Sequence, residues 1–89
     1  MYYVYRIRSK SKPDQTFVGT TRNVKKRLSL HNIGQVGATR DFRPWKISFY
    51  AAFTRKQRAH EFEDFLKSPN GKSFGRKRLW QSIPKPDEL

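Results

Sequence analysis

Residues 2–19 read YYVYRIRSKSKPDQTFVG, and this stretch decides the fold. Its first six residues are aromatic or β-branched apart from one arginine, a composition that suits a strand. Lys12-Pro13-Asp14 marks a turn, because proline presets its backbone angle and aspartate bonds its own main chain. Residues 16–19 then read as the returning strand of a hairpin. Antiparallel pairing about that turn sets Tyr5 against Phe17 and Tyr3 against Gly19. Directly opposed side chains lie roughly 4.5–5.5 Å apart at Cβ, so both aromatic positions share one small patch.

Downstream, Asn23 is placed to cap a helix running through Val24, Arg27, Leu28 and His31 and ending near Gly34. Arg27 and His31 are four residues apart and project from one helical face. Residues 34–44 are polar and glycine-containing, a loop with room for a helical turn. Residues 45–53 are aromatic-rich and weakly alternating, a second long strand. Thr54-Arg55-Lys56-Gln57 matches a capping box. The helix it opens buries Ala59, Phe62, Phe65 and Leu66 at helical spacing, with Glu63 beside the stripe. Ser68-Pro69-Asn70-Gly71 breaks that helix, and residues 72–80 form a short basic one. The elements make an α+β chain with one domain over residues 1–82 and a loose, proline-punctuated tail at 83–89. A length of 89 residues supports a single modest core.

The chain carries 20 Lys+Arg against 7 Asp+Glu, a formal charge of +13. Such a balance favours a polyanionic partner. Nucleic acid fits better than a membrane surface, because no long amphipathic basic segment is present. Without cysteine there are neither disulfides nor cysteine-based metal sites. The N-terminus lacks the features of a signal peptide, and the longest apolar run, 49–53, is far too short to span a bilayer. The closing Pro86-Asp87-Glu88-Leu89 lacks the lysine of an ER-retention signal. A soluble cytoplasmic protein is expected, nucleoid-associated if bacterial. The acids are unevenly spread: between Gln15 and His60 the only one is Asp41, after which Glu61, Glu63 and Asp64 fall together. A basic chain that gathers acid on one helix is either pairing it locally or holding a cation.

Five features in order resemble the GIY-YIG nuclease family over about residues 1–79. Tyr3-Val4-Tyr5 stands for the first motif without its glycine, and Phe17-Val18-Gly19 for the second with its tyrosine changed. Lys25-Lys26-Arg27-Leu28-Ser29-Leu30-His31-Asn32 is similar to the basic helix ending in His-Asn. Arg43-Pro44-Trp45-Lys46 is similar to the segment entering the third strand, and residues 59–67 to the later helix. The nearest likeness is to the small stand-alone bacterial and phage-type members. The resemblance implies a three-stranded antiparallel sheet flanked by helices, one divalent cation (Mg²⁺ or Mn²⁺) and hydrolysis of DNA phosphodiesters.

The resemblance assigns catalytic positions to Tyr5, Phe17, Arg27, His31 and Glu63. Glu63 taken alone reads either as a metal ligand or as a rim carboxylate paired with Lys67 at i+4; the resemblance selects the ligand, and Mg²⁺ needs few protein carboxylates beside substrate phosphate. Glu61 and Asp64 read as a solvated face. Arg27 presents a planar, permanently charged fork suited to phosphate. His31 is a proton relay, a holder of phosphate or water, or simply a capping or core histidine at a helix end. His60 matches no motif and reads as structural. Tyr5 either orients the attacking water or takes its proton, the latter only if nearby cations lower its pKa from ~10. In the family the second-motif tyrosine is the usual base, a role Phe17 cannot fill.

Two functions therefore compete on this fold: a metal-dependent DNA endonuclease weakened or inactivated by Phe17, and a non-catalytic nucleic-acid-binding module. A small RNA- or ribosome-associated protein would need only charge and exposed aromatics, and gives no reason to keep Glu63. Lys25, Lys26, Lys46, Lys72, Arg76, Lys77 and Arg78 are the expected DNA-backbone contacts, on duplex or branched DNA. No separate DNA-reading motif is recognisable, so any sequence specificity would have to come from a partner protein.

Overall fold

In the computed structural model, which describes residues 1–80, the first strand runs through the middle of the molecule. Strand β1 (Tyr2–Ser9) pairs antiparallel with β2 (Thr16–Thr21) on one edge and with β3 (Trp45–Phe53) on the other, in the order β2-β1-β3. Helix α1 (Val24–Asn32) follows β2, a single 3-10 turn (Arg40–Phe42) precedes β3, and α2 (Lys56–Lys67) and α3 (Pro69–Arg78) close the described chain. This is the α+β architecture expected, with a three-stranded antiparallel sheet and three flanking helices.

Helices cover β1 on both faces, which explains why Val4, Tyr5, Arg6 and Ile7 are all buried. Side chains alternate across a strand. Tyr5 and Ile7 meet Trp45 and the apolar side of α1, Val24 and Leu28. Val4 meets Ala59 and Leu66 of α2, ringed by Val18, Phe49, Phe53 and Phe62. Burying a side chain such as Leu66 contributes ~1.5–3 kcal/mol. Two small cores thus lie back to back across one sheet.

The hairpin register differs from the expected one by two residues. Tyr5 lies opposite Gly19, and Phe17 opposite Ile7. The connection between the strands is longer than Lys12-Pro13-Asp14 alone, closed by Ser9 N–H to Gln15 O (3.0 Å) and Gln15 N–H to Lys12 O (2.8 Å). A slip of two keeps every side chain on its face, whereas a slip of one would invert them. Tyr5 and Phe17 therefore still share a face, as diagonal neighbours with ring centroids 6.3 Å apart.

Asn23 caps α1 as expected, its side chain accepting from Lys26 N–H at 3.0 Å. The capping box at Thr54 does not form. Helix α2 starts at Lys56 with Arg55 at its cap and no side-chain capping bond, so Gln57 sits one position too early to reach back. Phe65, expected inside, is 39% exposed. It turns towards α3, with its ring centroid 5.7 Å from that of Phe74. The break at 68–71 shrinks to Ser68 alone. Pro69 occupies the first position of α3, where its missing N–H costs nothing. The Ser68 hydroxyl accepts from Gly71 N–H (3.0 Å) and donates to Phe65 O (2.6 Å). The expected tail at 83–89 lies outside the described residues.

Candidate active site

Gly19 explains how the two strand motifs meet. A Cβ at Gly19 would stand 2.8 Å from the Tyr5 hydroxyl oxygen and 3.0 Å from Cε1 of Phe17. The glycine is there because two aromatic rings from neighbouring strands converge over its backbone.

From that point a directed hydrogen-bond chain runs inward. The Tyr5 hydroxyl lies 2.8 Å from Nε2 of His31, and His31 Nδ1 lies 2.7 Å from Thr39 Oγ1. The Thr39 hydroxyl donates to Val36 O at 3.3 Å, so its oxygen is free only to accept. His31 Nδ1 therefore carries the ring proton, and Nε2 accepts from Tyr5. Arg27 completes the set, its Nε–H donating to the Tyr5 oxygen at 3.4 Å. Burial, then the charge of Arg27, pushes the His31 pKa below its ordinary value. His31 is a neutral imidazole with no exposed surface. It cannot hold phosphate or water directly, which removes that expectation; relaying a proton through Tyr5 remains open to it.

Burial also dominates at Tyr5. It raises the phenol pKa, and Arg27, through its hydrogen bond and charge, offsets this only in part; Glu63 adds to the rise and Lys67 opposes it. Tyr5 is a protonated hydrogen-bond donor at neutral pH, not a phenolate.

Glu63 approaches from the other face of the sheet, over the edge strand. Its Oε1 accepts from the Thr20 hydroxyl, one residue beyond Gly19, and its Oε2 accepts from Lys67 Nζ at 2.6 Å. Burial works against the charge, but Lys67, Thr20 and His60 together hold the carboxyl below its usual pKa. Glu63 is thus ionised, and 17% of its side chain remains accessible. His60 is not a core residue: it is exposed, and its Nδ1 stands 4.0 Å from Glu63 Oε1. Glu61 and Asp64 face solvent as expected. Among the described residues no group of three potential metal ligands converges. A lone ionised carboxylate, with one oxygen held only by a half-exposed lysine, nonetheless fits a hard cation that keeps its waters and takes its other ligands from substrate. Phe17 closes the cluster, half-buried, with its ring centroid 5.1 Å from that of His31.

The model of the GIY-YIG catalytic domain matches residues 1–78. The chain belongs to the GIY-YIG family. It is also 39% identical over 75 residues to the structure-specific endonuclease subunit SLX1 of Debaryomyces hansenii, an alignment covering 76% of this chain and 22% of that protein. The chain spans about a fifth of the length of that relative.

Seen as a GIY-YIG domain, the chain brings Tyr5, Phe17, Arg27 and His31 into one contact cluster, with Glu63 close enough for its charge to act on Tyr5. The expected backbone contacts divide. Lys25 and Lys26 are exposed on α1, on one face of the sheet. Lys46 pairs across from Arg8 and shares the opposite face, the side of α2 and α3. Lys72, Arg76, Lys77 and Arg78 are exposed on α3. Sequence reasoning missed Thr20 and Thr39, which fix Glu63 and His31. Thr20 stands next to Gly19 and points to the opposite face, which only the strand alternation could have flagged. Thr39 lies in an irregular loop without any local signal.

Proposed function

We propose that this chain is a DNA endonuclease that hydrolyses phosphodiesters with one divalent cation, Mg²⁺ or Mn²⁺. The observation that carries this reading is the ionised Glu63 beside a buried Tyr5–His31 pair bonded to Arg27. Glu63 would hold the cation, which when bound would polarise the phosphate and stabilise the leaving oxygen. Lys67 has to give up Oε2 for that, and a half-exposed lysine moves readily. Arg27 uses Nε on Tyr5, which leaves its two Nη groups for phosphate oxygens. Tyr5 is 1% exposed, so substrate binding has to uncover its hydroxyl; it would then orient the attacking water and take its proton while passing its own to His31 Nε2, giving an imidazolium with Nδ1–H still on Thr39. Burial and Arg27 make His31 a reluctant acceptor, so the relay works slowly without a second-motif hydroxyl at position 17.

The likeness to a subunit named as structure-specific supports branched DNA, recognised by shape, as the substrate. It also supports a partner subunit as the source of selectivity, since backbone contacts carry no sequence information. Phe17 favours a second reading, a nucleic-acid-binding module without cleavage. A nicking assay on plasmid and branched DNA with Mg²⁺ or Mn²⁺ separates the two. Metal-stimulated nicking that disappears in Glu63→Gln, with DNA affinity unchanged or higher, is expected. Tight binding with no nick under either metal means the second reading is right.

A further inference from the structure

On the α2/α3 side of the sheet a groove of about 790 Å³ runs between the hairpin and the last two helices. Arg6, Arg8, Lys67, Lys72, Arg76 and Trp80 line it, and none of the described residues that line it is acidic. Two of its cations are built into the sheet. Arg6 is only 7% exposed, donates from Nη1 to Ser48 Oγ at 2.9 Å, and stacks its guanidinium 4.1 Å above the Trp80 ring. Arg8, two residues on and on the same face, has a buried Nε with no hydrogen-bond partner among the described residues.

Buried charges are normally paired and buried donors normally bonded. Here neither holds, and the two neighbouring guanidiniums repel. Burial and the charge of Arg8 lower the Arg6 pKa to about 10, so Arg6 remains charged at neutral pH. The mouth adds Lys72 and Arg76, one helical turn apart on α3, to those two guanidiniums. Among the described residues five cations converge without an internal counter-anion except at Lys67, which is paired with Glu63.

We propose that this groove holds the backbone phosphates of the DNA strand flanking the one at Glu63. It is a phosphate track on the opposite face of the sheet from Tyr5 and His31. Lys67 belongs to both places, lining the groove and bonding Glu63, and Phe17 also borders it. A strand seated on Arg8, Lys72 and Arg76 therefore runs directly to the carboxylate. The planar guanidinium of Arg6, held by stacking on Trp80, and that of Arg8, with a buried, unbonded Nε, match phosphate oxygens. An acidic peptide, whose carboxylates lack a fixed spacing, gains less from that rigidity. The inference rests on the nuclease reading for its substrate, but its test does not need cleavage.

The test is equilibrium binding of fluorescently labelled duplex and branched DNA in EDTA across a salt series. Lys72→Ala/Arg76→Ala removes two exposed cations with little risk to the fold, and Arg8→Gln removes the half-buried guanidinium with the unbonded Nε. Arg55→Ala/Arg58→Ala takes the same charge from exposed positions that do not line the groove. The α3 pair should weaken binding ~10-fold or more at ~0.1 M salt and make the log–log salt slope shallower by about 2; Arg8→Gln should make it shallower by about 1. The Arg55/Arg58 pair should change affinity less than ~3-fold. Groove variants that bind as the parent does, or lose no more than the Arg55/Arg58 pair, overturn the proposal. So does displacement of DNA by poly-glutamate at equal charge concentration. A parent that binds through the groove yet never nicks leaves the track standing and removes only the nuclease.

Discussion

The Tyr5 hydroxyl lies 2.8 Å from Nε2 of His31, with both side chains almost wholly withdrawn from solvent. The pair makes the interior under the first motif a polar one, satisfied from Arg27 at one end to Thr39 at the other. It also ties stability to pH. The folded-state pKa of His31 is below its ordinary value of 6.5, so as pH falls the unfolded chain takes up its proton first. The contribution is complete above pH 6.5 and is lost as pH falls through the folded-state pKa. Urea unfolding between about pH 8 and pH 5 should show the parent losing stability in the acid half. His31→Ala should lack that limb and be destabilised by ~1–3 kcal/mol above pH 6.5, with the gap narrowing as pH falls, because it leaves the buried Tyr5 hydroxyl without its acceptor. An identical acid limb in both proteins would assign it to other groups.

Arg27 and Lys26 are neighbours on α1 with different fates. Only Arg27 touches the Tyr5 hydroxyl, whereas Lys26 is exposed. Arg27→Ala should lower the nicking rate ~10²–10³-fold, the usual cost of losing a donor aimed at transition-state charge. Its effect on DNA binding should resemble that of Lys26→Ala. Single-turnover rates measured beside binding constants decide this, and equal rate losses in the two variants would reduce Arg27 to one cation of many.

Phe17→Tyr adds a hydroxyl to a ring already held against His31 and Tyr5. Nicking should rise by ~10²–10⁴, the worth of a positioned general base, and the gain should vanish in Phe17→Tyr/Glu63→Gln. An active parent that gains nothing would show that the Tyr5–His31 relay already does the work.

Gly19→Ala places a methyl group against the Tyr5 oxygen and the Phe17 ring. Overpacking of this kind costs ~1–3 kcal/mol. Tyr5→Phe in the same chain removes the closest clashing atom and should recover part of that loss without recovering nicking. Thermal unfolding of the single and double variants is the measurement; additive losses would mean that Gly19 serves some other end.

The order of strands and helices was legible in the sequence because each element announces itself locally. Aromatic and β-branched runs gave the strands, and Asn23 gave a cap that forms. What failed was tertiary in origin. The hairpin register is fixed by how the connection closes onto Ser9, not by the one proline-containing turn. Thr54 looks like a cap, but the helix waits until β3 has cleared the sheet edge at Phe53. Tyr5, Arg27, His31 and Glu63 were readable because their chain order matches a family pattern, whereas their mutual bonds were not. Arg6 and Arg8 belong to no motif, and nothing local says that α3 will roof their side of the strand.

Ser68 joins α2 to α3 with a joint one residue long, its single hydroxyl serving both helix ends. The two helices are thereby an angled lever with almost no slack. Glu63 and Lys67 ride on one arm, Lys72 and Arg76 on the other. A shift of the outer arm is therefore felt by the inner one, through that serine and through Phe65 against Phe74.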